Sequence, residues 1–221
     1  DAFLQITQTK SKTFQDTTGK KQYVCNNHNA FLSMMEGALT GKTGFTGEAG
    51  YCYVGAVRQG DRTLIVALLA CGWPNNKNYK WADTKTLVQY GLDQYGYCNY
   101  WEDAMQDQDI RILEAGKKRT VKDAPAKDGN LYQDGTVNTF LNIDDQDREK
   151  RILMKKTEAI QVQIEEKQEI TAPIESGDIL GTVTILLNGE TLDEKPIVSG
   201  ESIQKKNLLW IYRQLWKSYA L

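Results

Sequence analysis

A chain of 221 residues with 40% apolar and 25% charged side chains, and a mean hydropathy of -0.54, reads as a soluble globular protein, neither disordered nor membrane-spanning. Lysine and arginine total 27 against 29 aspartates and glutamates, a net charge of -2, so no global field favours a polyanion and nucleic acid is not an expected partner. The single histidine, His28, rules out a multi-histidine metal site or histidine relay built from this chain alone, and neither metal nor other cofactor is expected.

The first 28 residues read as a short amphipathic opening (Phe3, Leu4, Ile6), then a hairpin turning at Asp16-Thr17-Thr18-Gly19. A brief helix is expected within Asn29 to Glu36. Glycines at 41, 44, 47 and 50 then lead into Tyr51-Cys52-Tyr53-Val54-Gly55-Ala56-Val57, a turn at Gln59-Gly60-Asp61-Arg62, and a second apolar run from Thr63 to Cys71. Two such runs around a Gly-Asp turn predict an antiparallel hairpin in a sheet covered by other elements. Trp81, Thr84, Leu87, Val88 and Leu92 share a helical stripe over residues 81 to 95. Four cysteines, Cys25, Cys52, Cys71 and Cys98, form no C-x-x-C pair; Cys52 and Cys71 are expected as small buried thiols, and a disulfide stays open.

From about Gln106 the short runs Ile110 to Leu113, Val137 to Ile143, Ile160 to Ile164 and Thr182 to Leu187 alternate with polar turns, as in a small all-β domain. The alternating charges of residues 144 to 151 read as a solvated loop. Three parts are expected: 1–105, 106–203 and a tail, 204–221. The tail places Leu208, Ile211, Tyr212, Leu215 and Tyr219 on one stripe beside Leu209, Trp210 and Trp216, with Lys205, Lys206, Arg213 and Lys217 as its charges. It is too short to span a bilayer, which takes about 20 residues, and suits lying flat at a membrane interface.

Gly41-Lys42-Thr43-Gly44 admits two chemistries. A phosphate-binding loop needs an earlier glycine that is absent at position 36, and must open a helix, whereas Lys42-Thr43 leads into a strand-like run. The alternative is the lysine-threonine-glycine strand of serine acyl-transfer enzymes: an ammonium to polarise a proton relay, a hydroxyl for a carboxylate, and a free strand N–H for an oxyanion.

Asn27-His28-Asn29-Ala30-Phe31-Leu32, followed by Gly41-Lys42-Thr43-Gly44-Phe45-Thr46-Gly47-Glu48-Ala49-Gly50-Tyr51-Cys52, resembles the low-molecular-weight penicillin-binding proteins, the serine-type D-alanyl-D-alanine carboxypeptidases. Leu87-Val88-Gln89-Tyr90-Gly91-Leu92 is similar to their last helix, Ala172 to Val198 to their small C-terminal β domain, and the tail to their membrane anchor. The resemblance implies an α+β fold with part of a transpeptidase-like antiparallel sheet, then a small β domain and an amphipathic helix. It implies an extracytoplasmic enzyme at the outer face of the membrane, which removes the terminal D-alanine of a peptidoglycan stem peptide through an acyl-enzyme and also takes β-lactams. Lys42 would tune the relay, Thr43 would hold the terminal carboxylate, Gly44 would permit close approach and the Phe45 N–H would donate to the oxyanion. Lys80 would meet the carboxylate as the basic residue near the last helix, and Leu208, Leu209, Trp210, Ile211, Leu215 and Trp216 would meet the membrane. His28 is expected to be structural.

The family's S-x-x-K and S-x-N motifs do not occur before Lys42; Ser202-Ile203-Gln204-Lys205 and Tyr97-Cys98-Asn99 lie on its wrong side. The chain starts at Asp1 without methionine or a signal peptide. The expectation is therefore the C-terminal portion of such an enzyme, inactive alone, with a companion chain supplying the missing part or copies of the fragment covering one another. The alternative is a non-catalytic module that binds wall peptides or partner enzymes.

Overall fold

The structure is a computed structural model that describes residues 2–219. The chain forms two compact units, Asp1–Gly96 and Tyr97–Leu221, dividing nine residues before the boundary expected from the sequence.

In the first unit α1 (Ala2–Gln8) leads to the antiparallel hairpin β1 (Ser11–Gln15) and β2 (Gln22–Asn26). Asp16 closes its turn by accepting from the Lys20 N–H at 3.0 Å. A single helical turn, α2 (Phe31–Met34), precedes the antiparallel sheet β3 (Ala38–Thr46), β4 (Gly50–Gln59) and β5 (Arg62–Leu68), in that spatial order. A short 3-10 turn at Pro74–Asn76 then feeds α3 (Tyr79–Gln94). The helix lies on one sheet face because its apolar stripe matches the alternation of the strands. Trp81, Val88 and Leu92 bury themselves against Phe31, Tyr53, Val57 and Val66. Arg62 ties down the end of α3, donating to the carbonyls of Leu92 (2.6 Å) and Tyr95 (2.7 Å) that the helix leaves without partners.

The opposite sheet face is open. Cross-strand pairing sets Val54 opposite Ala67 and Ala56 opposite Ile65, and Ile65 and Leu69 are 74% and 80% exposed. Helix α1 packs on β3, where the Thr40 hydroxyl meets that of Thr7 at 2.6 Å.

Strand β6 (Tyr95–Cys98) runs across the division between the units. The second unit holds a five-stranded antiparallel sheet built from β7 (Lys117–Pro125), β8 (Asp134–Leu141), β10 (Ile160–Glu166), β11 (Ile179–Leu187) and β12 (Glu190–Ser199), ordered β10-β11-β12-β8-β7, with β9 (Ile152–Lys155) outside it. It is not purely β. Helix α4 (Tyr100–Ala104) starts at Asn99, whose side chain accepts from the Glu102 N–H, and this structural use occupies the asparagine of Tyr97-Cys98-Asn99.

The run Ile110 to Leu113, expected as a strand, lies in α5 (Gln108–Ala115). Asp107 caps it from the Asp109 and Ile110 N–H groups, and Ile110 and Leu113, three apart, both reach the core beside Trp101, Val183, Ile185 and Ile197. The expected loop at 144 to 151 contains the helical turn α6 (Asp145–Arg148), in which Asp147 is buried between Lys150 (2.6 Å) and Lys195. Helix α7 (Leu208–Tyr219) is capped by Asn207, which accepts from the Trp210 N–H at 2.8 Å. Lys205 and Lys206 hold its start through Asp123 and Asp134, both at 3.2 Å. Leu208, Leu209, Leu215 and Trp216 are exposed, while Trp210 and Ile211 are half-buried.

Candidate active site

The lysine-threonine-glycine run sits in the middle of β3, an edge strand, so half its backbone groups have no neighbouring strand. Which half follows from β4. Tyr51, opposite Phe45, donates its N–H to Gly72 and accepts from the Cys71 N–H, so its backbone faces away from β3. In an antiparallel ladder that makes Phe45 and Tyr51 a pair that exchanges no hydrogen bonds, and the N–H of Phe45 points to the open edge. Two residues earlier Thr43 has the same orientation, and its carbonyl accepts from the Lys42 ammonium at 2.5 Å. The segment is extended throughout, which excludes a phosphate loop opening a helix.

Beside this edge lies a cleft of about 510 Å³ lined by His28, Thr43, Gly44, Phe45, Tyr51, Lys77, Asn78, Lys80 and Trp81. Among its described lining residues three are of basic type and none is a carboxylate. Lys80 is the best anchored. It is buried at the start of α3, its ammonium donating to the Lys77 carbonyl and lying 4.3 Å from the Tyr51 ring centre and 4.6 Å from that of Trp81. The ring faces offer a cation negative charge density. Burial nevertheless pulls the Lys80 pKa below the ordinary lysine value, an effect partly opposed by the nearby Cys71.

The walls rest on aromatic packing. Trp81 meets Tyr53 edge-on at 4.9 Å, and Tyr53 meets Phe31 at 6.0 Å. The Tyr53 hydroxyl donates to Asn29 at 3.1 Å, and its side chain lies across Gly41 and Gly55, where a Cβ would come within 2.2 Å of the hydroxyl oxygen and 2.6 Å of the ring respectively. Burial raises the Tyr53 pKa, with the Asn29 bond acting against it.

The fold thus brings Thr43, Gly44, Phe45 and Lys80 together. Lys42 lies on the same strand but outside the cleft lining, exposed and turned onto the Thr43 carbonyl. His28, expected to be structural, is an exposed part of the cleft wall. Its neighbours hold it there: the Asn27 amide donates to the Thr7 and Thr9 carbonyls at 2.7 and 3.1 Å while its Oδ1 accepts from the Asn29 N–H. The sequence shows only a histidine between two asparagines; that both asparagines are anchored appears in the structure alone. All four cysteines are free, and Cys25, Cys52 and Cys71 are partly or fully exposed.

An edge strand carrying Lys-Thr-Gly thus runs beside a basic cleft suited to an anionic ligand, and comparison with known proteins shows what the chain is similar to. The chain is homologous to D-alanyl-D-alanine carboxypeptidases over most of its length, and residues 148–205 match the family described as penicillin-binding protein 5, C-terminal domain. It is 24% identical over 209 residues to D-alanyl-D-alanine carboxypeptidase DacF of Bacillus subtilis, spanning 95% of this chain and 48% of DacF. It is 31% identical over 102 residues to DacB2 of Mycobacterium tuberculosis, spanning 46% of this chain and 28% of DacB2. The chain therefore spans less than half of each of these relatives. Among solved structures, the D-alanyl-D-alanine carboxypeptidase DacD of Francisella tularensis aligns at a TM-score of 0.45 with 21% identity, over 87% of this chain and 45% of DacD.

Proposed function

We propose that this chain is the C-terminal portion of a serine D-alanyl-D-alanine carboxypeptidase, residues 1–105 contributing part of the catalytic domain, 106–203 a small β domain and 204–221 a membrane-associating helix. The observation that carries the reading is the convergence of Thr43, Phe45 and Lys80 on one cleft whose described lining includes no carboxylate. The Thr43 hydroxyl and the Lys80 ammonium suit the terminal carboxylate of a stem peptide or the acid group of a β-lactam. The Phe45 N–H on the open edge suits the oxyanion formed when a serine attacks the penultimate carbonyl. Lys42 serves the relay electrostatically once its ammonium leaves the Thr43 carbonyl for the attacking serine. Serine and second motif come from polypeptide outside this chain, either linked to it or as a companion, and the complete enzyme works at the outer face of the cytoplasmic membrane.

The test is acylation by a labelled penicillin of this chain combined with a polypeptide that supplies S-x-x-K and S-x-N. A stable labelled adduct is expected, and Lys42→Ala lowers its rate of formation by about 100-fold or more, in the range that a positioned proton-transfer group contributes. A well-folded complex that binds wall peptides without acylation would instead establish the non-catalytic module.

A further inference from the structure

Of the three basic residues around the cleft, His28 has a different chemistry from the two lysines. Its ring makes no hydrogen bond or ion pair among the described residues, yet the anchored asparagines on either side keep it in the wall that also holds Thr43 and Lys80. We propose that His28 is a specificity-determining residue whose protonated ring holds the anionic end of the ligand together with Lys80, so that retention of a carboxylate-ended peptide is controlled by pH. This rests on the reading of the cleft as a terminal-carboxylate subsite.

The physical reason lies in the surroundings. The other titratable groups facing the cleft are Tyr51 on β4 and Lys77 and Lys80 at the start of α3, with Lys42 nearby on β3. None is a carboxylate, so among the described lining groups a protonated ring has no built-in counter-ion, and an incoming carboxylate supplies it. Lys80, caged against the Tyr51 and Trp81 rings, leaves charge for a second cation to add. Histidine is the side chain whose ordinary charge change falls between about pH 5 and 8. The sign follows: affinity for the anion is present in full at the acidic end of that window and falls as pH rises through it. By linkage, the bound anion must also make the ring harder to deprotonate.

As the only histidine in the chain, His28 has a ring-proton NMR signal free of overlap from other histidines. The experiment titrates the full chain with a blocked peptide ending in D-alanyl-D-alanine and with its C-terminal amide. The acid is expected to bind about 5- to 10-fold more tightly near pH 5.5 than near pH 8, with no such change for the amide, and to move the ring titration to higher pH. His28→Arg holds the acid at both pH values, and His28→Gln binds weakly at both. A pH dependence that survives in His28→Gln, a ring titration unmoved by the acid, or no binding of the acid near pH 5.5 overturns the proposal. If an L-alanyl-L-alanine peptide shows the same pH dependence and equal affinity, the role of His28 stands and the D-alanine reading falls.

Discussion

At the scale of single residues, the glycines show how a motif and its support differ. Gly44, the glycine of the Lys-Thr-Gly run, has room to spare: an added Cβ would meet nothing nearer than the Cys52 Cβ at 3.9 Å. Gly41 and Gly55, outside the motif triplet, are the constrained pair, because Tyr53 lies across both. Gly44→Ala is accordingly expected to leave the denaturant midpoint close to that of the parent, within about 0.5 kcal/mol. Gly41→Ala is expected to cost about 1–3 kcal/mol, since the buried Tyr53 ring must shift in a packed core. Equal stabilities for the two variants would refute the packing described. The run itself was legible from residue types; the ring laid over Gly41 was not, since it joins residues 12 apart on different strands. Thiol chemistry separates similarly. Burial, then the Asp83 carboxylate it donates to, pushes the Cys71 thiol up to about 11, and burial with Asp103 pushes Cys98 up to about 12. Alkylation near pH 8 is expected to label exposed Cys25 well before either, as thiolate is the reactive form.

At the scale of elements, the hairpins were readable because their turns carry the chemistry themselves: Asp16 gathers its own backbone donors and Gly60 takes a positive φ of 60°. Helices α5 and α6 were not. A four-residue run with three apolar residues suits strand or helix equally, and what decides α5 is Asp107, outside the run, with a core that takes both Ile110 and Leu113. The charge run misled for another reason: two lysines, one of them 48 residues away, neutralise Asp147 and make its burial tolerable. The Lys150 and Lys195 hydrogen bonds hold the Asp147 pKa down to about 2. A carboxylate with a depressed pKa stabilises the fold above its unfolded value of 3.8, and that contribution fades as pH falls toward about 2. Thermal unfolding followed from pH 6 downward is expected to show a loss of stability in this window that is smaller in Asp147→Asn. An unchanged acid profile in that variant would remove the ion pairs from the account.

At the scale of the whole molecule, composition announces a core but not where apolar surface is left over. The open sheet face carries Val54, Ile65 and Leu69, and burying each of these large side chains is worth about 1.5–3 kcal/mol. The chain alone is therefore expected to bind a hydrophobic dye, and Ile65→Lys to reduce that binding measurably; a parent that leaves the dye dark contradicts an open face. Helix α7 presents a second apolar surface. Among the described residues no helix is long and apolar enough to cross a membrane, so association through α7 would be peripheral. Vesicles rich in anionic lipid are expected to shift the tryptophan emission to shorter wavelength, and Trp216→Ala with Leu208→Ala to abolish the shift. Equal emission with and without vesicles would count against the membrane role.

The bare side of β3 has a practical corollary. Backbone groups arranged to greet one extended peptide will greet others, including the same strand of a sister molecule, because hydrogen bonds along a strand read shape before sequence. If β3 takes the D-alanine-ended peptide proposed above, a solution of the purified chain should then clump more slowly when that peptide is kept in the buffer, the ligand doubling as a guard rail along the strand.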